Sequence, residues 1–188
     1  MGEVVLVRHG QTGWSAAHRH TSYTDVDLTP DGEEQARATG RRLGGWAFAA
    51  VFCSPRKRAL RTARLAGLTV SEVDADLAEW DYGEYEGITT DEIHRTRDPH
   101  WYLWTDGCPG GESPYQVGAR LDRVLAKARA AARRGDVALV GHGHALRVAG
   151  ARWVELPPSA GGLLRLDTAT ISVLGYEHRR PVIHRWNS

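Results

Sequence analysis

The chain has 188 residues, 41% of them hydrophobic and 25% charged, enough for one domain whose core needs neither disulfide nor metal. Its 24 basic and 23 acidic residues leave a formal net charge of +1, too balanced for a protein whose main partner is nucleic acid. Only Cys53 and Cys108 are cysteines, outside any CxxC, and no apolar run reaches the length of a membrane span, so the expectation is one cytoplasmic domain over residues 1–188, with no membrane partner.

In chain order, Val4-Val5-Leu6-Val7 is a continuous apolar run and predicts a strand buried on both faces. Thr29-Pro30 followed by Asp31, Glu33 and Glu34 predicts a helix capped by Thr29, running to about Leu43 and ended by Gly44-Gly45. Ala49 to Phe52 predicts a second strand. Ser54-Pro55 reads as the cap of a helix over about 56–66, stopped at Gly67, and Leu68 to Val73 as a third strand. Residues 76–113 carry no steady period apart from a short helix near 90–96. A long helix is predicted from about Pro114 to Arg134, with Val117, Leu121, Val124, Leu125 and Ala128 on its buried face. Val137 to Val140 predicts a buried strand, about 144–154 a helix, and 163–166, 171–176 and 181–185 closing strands. Strands alternating with helices, with no repeat and no linker, predict an α/β three-layer sandwich: a mostly parallel central sheet with helices on both faces.

Open sheets of this kind bind ligands at the carboxyl ends of their strands. Three predicted strands end in polar sequence: Arg8-His9-Gly10-Gln11-Thr12, Cys53-Ser54-Pro55-Arg56-Lys57-Arg58 and Gly141-His142-Gly143-His144. Two histidines and two arginines brought together there would make a pocket for phosphate or another oxyanion. Arg56, Lys57 and Arg58 put cations at a helix N-terminus, against its dipole. A bound anion would remove that conflict, although a solvated basic end is the plainer reading of the run taken alone, and Arg61 and Arg64 read as solvated face. Residues 77–87 supply four carboxylates, Glu79, Asp81, Glu84 and Glu86, among aromatics that can raise a carboxyl pKa and suit it to general-acid work. Spacing does not choose among the four. The surrounding Trp80, Tyr82, Tyr85, Trp101, Tyr102, Trp104 and Tyr115 read first as a hydrophobic cluster under a long loop, and second as the mouth of a site.

Together these blocks resemble the histidine phosphatase superfamily, the phosphoglycerate mutase-like fold, in that family's order and over nearly the whole chain. The RHGxT signature stands as Arg8 to Thr12, the SPxxRAxxTA block as Ser54 to Ala63, the LxExxYGxxEG block as Leu77 to Gly87, and the HGxxLR block as His142 to Arg147. Pro-Gly-Gly-Glu-Ser at 109–113 is similar to a segment that many of the phosphatases carry. The likeness extends to actinobacterial acid phosphatases first labelled as phosphoglycerate mutases. It implies a metal-free phosphomonoesterase without cofactor, acting on a small phosphorylated metabolite through a phosphohistidine. In this scheme His9 is the nucleophile, and its other ring nitrogen is held by an acceptor such as a backbone carbonyl. Arg8, Arg58 and His142 hold the phosphoryl oxygens, and Glu79 serves as proton donor and then base. Ser15, Thr21, Ser22, Tyr82 and Gly143 fall on the substrate side. A cationic His142 and a protonated Glu79 would give an acid pH optimum.

The chain departs from the family where Ser15 stands at a position that is Asn in many members, and where Ser22 replaces a Gly of the mutase pattern. The mutases also carry extra segments that shield the phosphoenzyme from water, which 188 residues leave no room for, so hydrolysis is favoured over mutase-type transfer. Two rivals remain. Gly141-His142-Gly143-His144 with His18-x-His20 could mark a metal-dependent phosphoesterase, against which the only Asn, Asn187, is followed by Ser188 and forms no Asn-His box. A non-catalytic phospho-ligand or protein-binding member of the same fold is the other. Turnover in EDTA excludes the first, and turnover that needs His9 excludes the second. Trp153 and Trp186, if exposed, are candidates for a homodimer interface.

Overall fold

A six-stranded sheet runs through the computed structural model, which describes residues 1–188. From one edge to the other lie β3 (Glu72–Val73), β2 (Phe48–Cys53), β4 (Asp136–Gly141), β1 (Val4–Arg8), β5 (Ile171–Glu177) and β6 (Arg180–Arg185). The first four run parallel, β5 runs against them, and β6, antiparallel to β5, runs with them. The expected mostly parallel α/β sandwich is thus the observed one. Along β1 the side chains divide by turns. Val4 and Leu6 enter the larger apolar core with α6 (Pro114–Ala131) and α7 (Gly143–Trp153), while Val5 and Val7 enter the smaller one with α3 (Lys57–Leu65). A strand buried on both faces has no polar alternation, which is why it reads as an unbroken apolar run.

The predicted buried face of α6 is observed in full: Val117, Leu121, Val124, Leu125 and Ala128 all lie in the core. Helix α2 (Pro30–Arg42) starts at Thr29, whose hydroxyl accepts from the Gly32 amide, and α4 (Thr90–Thr96) is where the short helix was expected. Other expectations need correction. Ser54 does not cap α3. The N-cap is Arg56, which makes no side-chain cap bond, and the anion at that helix end is the Asp25 carboxylate, which accepts the Lys57 amide at 2.9 Å. A side chain from a distant loop therefore supplies what the sequence suggested a ligand would. Arg61 is no free face residue either, because it pairs with Asp27 at 2.7 Å and also with Glu33, tying α3 to α2. The third strand shrinks to two residues, and 163–166 forms no strand, following a 3₁₀ turn at Pro158–Leu163 instead. Two short helices, α1 (Gly13–Ala16) and α5 (Leu103–Asp106), carry too few residues to show a period.

Trp80, Tyr82, Tyr85, Trp101 and Trp104 belong to the main core, so most of the aromatic set is packing rather than a stacking platform, while Tyr102 and Tyr115 stay exposed. Trp153 is fully buried, its indole N–H donating to the Gly175 carbonyl, and Trp186 is half-buried against Gly150. Neither is an exposed tryptophan available to a dimer partner. No helix is long and apolar enough to cross a membrane.

Candidate active site

Parallel register sets Arg8 beside Gly141 and Cys53 beside Val140, so β1, β2 and β4 end together. Each then hands the chain to a polar turn. The first turn is tight because Gly10 packs on the first turn of α2, where a Cβ would overlap the Gly32 carbonyl. It is a close backbone approach, not a left-handed φ, that requires glycine at this point.

His9 sits in this turn, 5% exposed. Its Nδ1 lies 2.7 Å from the Gly10 carbonyl, which can only accept, so Nδ1 carries the hydrogen and Nε2 the lone pair. Nε2 makes no hydrogen bond within the protein, and the residue lines an open cleft of about 240 Å³. Burial, and then the charges of Arg58 and Arg8, push its pKa well below the usual imidazole value. The ring is thus held neutral, in one tautomer, with its nucleophilic nitrogen free.

His142 lies edge-on to His9 with ring centroids 5.1 Å apart, and is fully buried. Arg58 donates through Nε to its Nδ1 at 3.2 Å, so that nitrogen is bare and Nε2–H donates to Ser54 Oγ at 2.7 Å. Burial and the Arg58 charge depress its pKa well below the ordinary value. The cationic His142 expected from the sequence is therefore replaced by a neutral one, and the argument for an acid optimum loses that half. Arg58 is itself buried beneath the cleft, its other donors on the carbonyls of Thr21, Ser22 and Thr24. Arg8 reaches the Leu166 carbonyl with Nη1, while its Nε is buried with no partner. A Cβ on Gly143 would stand 3.1 Å from the Arg8 guanidinium carbon, so the absence of a side chain there is what admits the arginine.

Glu79 is the carboxylate that the fold selects from the four candidates. The N-cap of α7 is His142, which gives no capping bond, and Glu79 takes the vacant amides. Its oxygens accept from Ala145 N at 2.8 Å, His144 N at 3.1 Å and Trp80 N at 2.9 Å. A carboxylate from a loop thus caps the helix, where its charge meets the positive end of the dipole. Behind it stands Arg120, which sequence reasoning did not single out. Its guanidinium binds the carbonyls of Asp76, Ala78 and Glu79 and forms a bidentate pair with Glu112. Glu112 in turn accepts the Asp81 amide at 2.9 Å. The 109–113 segment therefore acts as a brace for the turn that carries Glu79. The only signal for it in the sequence was an arginine amid the apolar positions of α6.

The remaining predicted residues divide. Ser15 and Thr21 line the cleft, but the Ser15 hydroxyl closes a capping box with Thr12, and that of Thr21 donates to Arg19 O. Ser22 lies outside the cleft lining, buried, with its amide on Glu86 and its hydroxyl on the Glu79 carbonyl. Tyr82 lines the cleft, and burial raises its pKa, so the phenol keeps its proton and shares a hydrogen bond with His144 Nδ1 at 2.6 Å. His18, His20, His144 and Arg147 also line the cleft; the sequence offered the three histidines only as ligands in the rival metal-dependent reading, and Arg147 only as the end of the HGxxLR block. No group of three His, Cys, Asp or Glu side chains is arranged to hold a metal ion. In the GHxH run His142 has both nitrogens engaged and His144 one, which leaves that pattern little capacity for ligation.

Burial lowers the pKa of His20, His9, His142 and His144 in the folded chain, whereas the unfolded chain titrates near the ordinary 6.5. Below that pH the unfolded state takes up protons that the folded state refuses, so stability falls as pH drops. Each ring adds a slope of about 1.4 kcal/mol per pH unit between 6.5 and its own folded pKa. Denaturant titrations should show stability level between about pH 7.5 and 8 and falling from about pH 6.5 toward 5. A flat profile across that window would mean that the rings are charged in the fold.

The family model of the histidine phosphatase superfamily (branch 1) matches residues 4–188. An acid phosphatase of Mycobacterium tuberculosis is 49% identical over 177 residues, 93% of this chain and 87% of that protein. A sedoheptulose 1,7-bisphosphatase of Saccharomyces cerevisiae is 38% identical over 182 residues, 81% of this chain and 67% of that protein. The solved structure of an open reading frame from Mycobacterium tuberculosis superposes with a TM-score of 0.96 at 45% identity, covering 99% of this chain and 97% of the other. With the sheet, the strand-end turns and these matches in agreement, the chain belongs to the histidine phosphatase superfamily and is a phosphatase.

Proposed function

We propose that this protein, as one domain over residues 1–188, hydrolyses small phosphomonoesters without a metal, through a phosphohistidine on His9. The observation that carries the reading is the state of His9: neutral, its Nδ1–H on the Gly10 carbonyl and its Nε2 free in a cleft shared with Arg8 and Glu79. In the first step, which takes Glu79 in its protonated form, the Nε2 lone pair attacks phosphorus, the bond to the ester oxygen breaks, and Glu79 delivers its proton to that oxygen and becomes the carboxylate. In the second, water attacks phosphorus, Glu79 takes its proton, and the N–P bond electrons return to Nε2 as inorganic phosphate leaves. Arg8 balances charge on the phosphoryl oxygens, as does Arg58 from beneath once its donors turn from the loop carbonyls. Neutral His142 contributes as a donor or as the prop of Arg58, not as a fixed cation.

The cleft is open, with no segment closed over it, so water has access to the phosphoenzyme and hydrolysis prevails over mutase-type transfer. The two cysteines, both buried and unpaired, fit a reducing compartment such as the cytoplasm. The test is turnover of p-nitrophenyl phosphate in EDTA, with quenched samples assayed for a phosphoenzyme that is stable in base and labile in acid. Undiminished rates and that labile species are expected. Loss of rate in EDTA, or a phosphoenzyme with the opposite stability, would overturn the mechanism.

A further inference from the structure

Arg8 immediately precedes the nucleophile, and burial disfavours its charge. Its side chain makes one hydrogen bond within the protein, from Nη1 to the Leu166 carbonyl. Packing on Gly143 aside, the place of the guanidinium therefore depends on the place of that carbonyl. Leu166 lies between the 3₁₀ turn at Pro158–Leu163 and β5, in a stretch that is neither helix nor strand. Backbone groups in such a stretch have no ladder to hold them and need other partners.

The partner comes from the far end of the sheet. The peptide unit that turns its carbonyl to Arg8 turns its N–H, that of Asp167, to Asn187 Oδ1 at 2.7 Å. The other end of the same amide closes a clasp, Nδ2 donating to Asp167 Oδ2 at 2.9 Å. A carboxamide suits this task because it carries an acceptor and a donor at a fixed spacing. Asn187 is held in its turn. Its backbone N–H donates to Ser172 Oγ on β5 at 3.0 Å, and its φ of 53° lies in the left-handed region that asparagine enters more readily than most residues. Beside it, the Trp186 indole N–H donates to the Arg165 carbonyl. Residues 186 and 187 thus grip 165–167 from outside the cleft, whose lining includes Leu166 but not Asn187. The same segment meets the main chain of the nucleophile turn, where Arg8 N donates to Thr170 O at 3.2 Å and Ala169 N to His9 O at 3.1 Å. Those bonds fix the backbone of residues 8 and 9, and leave the guanidinium to the Leu166 carbonyl.

We propose that Asn187 is a positioning residue for the phosphatase reaction: its amide fixes the Leu166–Asp167 peptide, and that peptide aims the Arg8 guanidinium at the phosphoryl group. This rests on the phosphatase reading above, in which Arg8 balances charge on the phosphoryl oxygens. Asp167 contributes as well. The Asn187 bond holds its carboxyl below the usual carboxylate range, and the resulting charge favours the Arg8 cation.

The test is a double-mutant cycle read with p-nitrophenyl phosphate as substrate and orthophosphate as inhibitor. Asn187→Gly deletes the amide and suits the left-handed backbone. With Arg8 in place it should lower kcat/KM by about tenfold to a hundredfold, the scale on which a small misplacement of a charged group acts, and weaken inhibition by orthophosphate in step. In the Arg8→Ala background the same substitution should change kcat/KM by less than about twofold, since the group that it positions is gone. Asn187→Asp keeps an acceptor for the Asp167 amide but sets two carboxylates against each other, and should also be slow. Combining it with Asp167→Asn puts a donor back opposite an acceptor and should recover most of the rate. Equal losses with and without Arg8 would make Asn187 a general support of the fold and overturn the proposal, as would an unchanged rate in Asn187→Gly. Should the glycine variant fail to fold, the exchange decides alone: a double variant no faster than Asn187→Asp overturns the proposal. Turnover that survives His9→Ala would instead strike the phosphohistidine reading, which separates the two failures.

Discussion

His9→Ala is expected to lower turnover of any phosphomonoester by about 10⁴-fold or more, because it removes the attacking nitrogen and leaves the ester to be displaced by water alone. Of the other rings, His142 is engaged at both nitrogens, by Ser54 and Arg58, while His144 and His20 are held at Nδ1 alone, by Tyr82 and the Ile88 carbonyl. The variant should stay folded, since the loss removes one bond to Gly10 from a turn that the Gly10 amide also ties to Thr62 at 3.0 Å. The companion expectation concerns pH. A nucleophile must be unprotonated, and burial holds the His9 pKa well below 6.5. Protonation of His9 therefore removes no activity between about pH 7.5 and 6. A fall in kcat/KM with an inflection near 6.5 would show an ordinary, solvated histidine and would count against the site as described. Steady-state rates of the wild type across pH, with the circular dichroism spectrum of the variant as a check on folding, decide both points.

Glu79→Gln is expected to cost about 10²- to 10⁴-fold in kcat, the usual range for losing a general acid–base. The loss should be larger for alkyl phosphates than for p-nitrophenyl phosphate, whose leaving oxygen is weakly basic and needs less help from a proton. Binding should change little, so KM should move less than kcat. There is a structural cost too, and its origin is specific. Glu79 Oε1 accepts from Trp80 and Ala145, and Oε2 from His144, so a glutamine can satisfy the first two but turns an NH₂ toward the His144 amide. That leaves one amide at the start of α7 unpaired, worth about 1–3 kcal/mol if it stays dry. Equal losses for alkyl and aryl esters, or a change confined to KM, would show that Glu79 shapes the site without moving a proton.

The fold was largely legible because its signals are local. Val4 to Val7 and Val137 to Val140 are apolar at every position, as strands buried on both faces must be, and both became neighbouring parallel strands. Thr29-Pro30 announced a helix whose hydroxyl does cap it. What failed was also local but ambiguous. Ser54-Pro55 has the look of a cap, yet the serine is drawn to His142, eighty-eight positions away, and the helix begins later. Leu163 to Leu166 has the apolar content of a strand, but Leu163 closes a 3₁₀ turn and the segment pairs with no strand of the sheet.

The sequence by itself determined the class of fold, the strand-end turns and the residue types gathered there, because hydrophobic period and turn chemistry act over a few positions. The tertiary structure alone decided among the four carboxylates, since Glu79 is chosen by amides of a helix that starts sixty-four residues later. It alone placed Asp25 at the basic helix end and made His142 neutral instead of cationic. It also left Arg147 half-buried with backbone carbonyls as its only hydrogen-bond partners. Charge and protonation state depend on which groups surround a side chain and how far water is excluded. Both are properties of packing between distant segments, and no local pattern carries them.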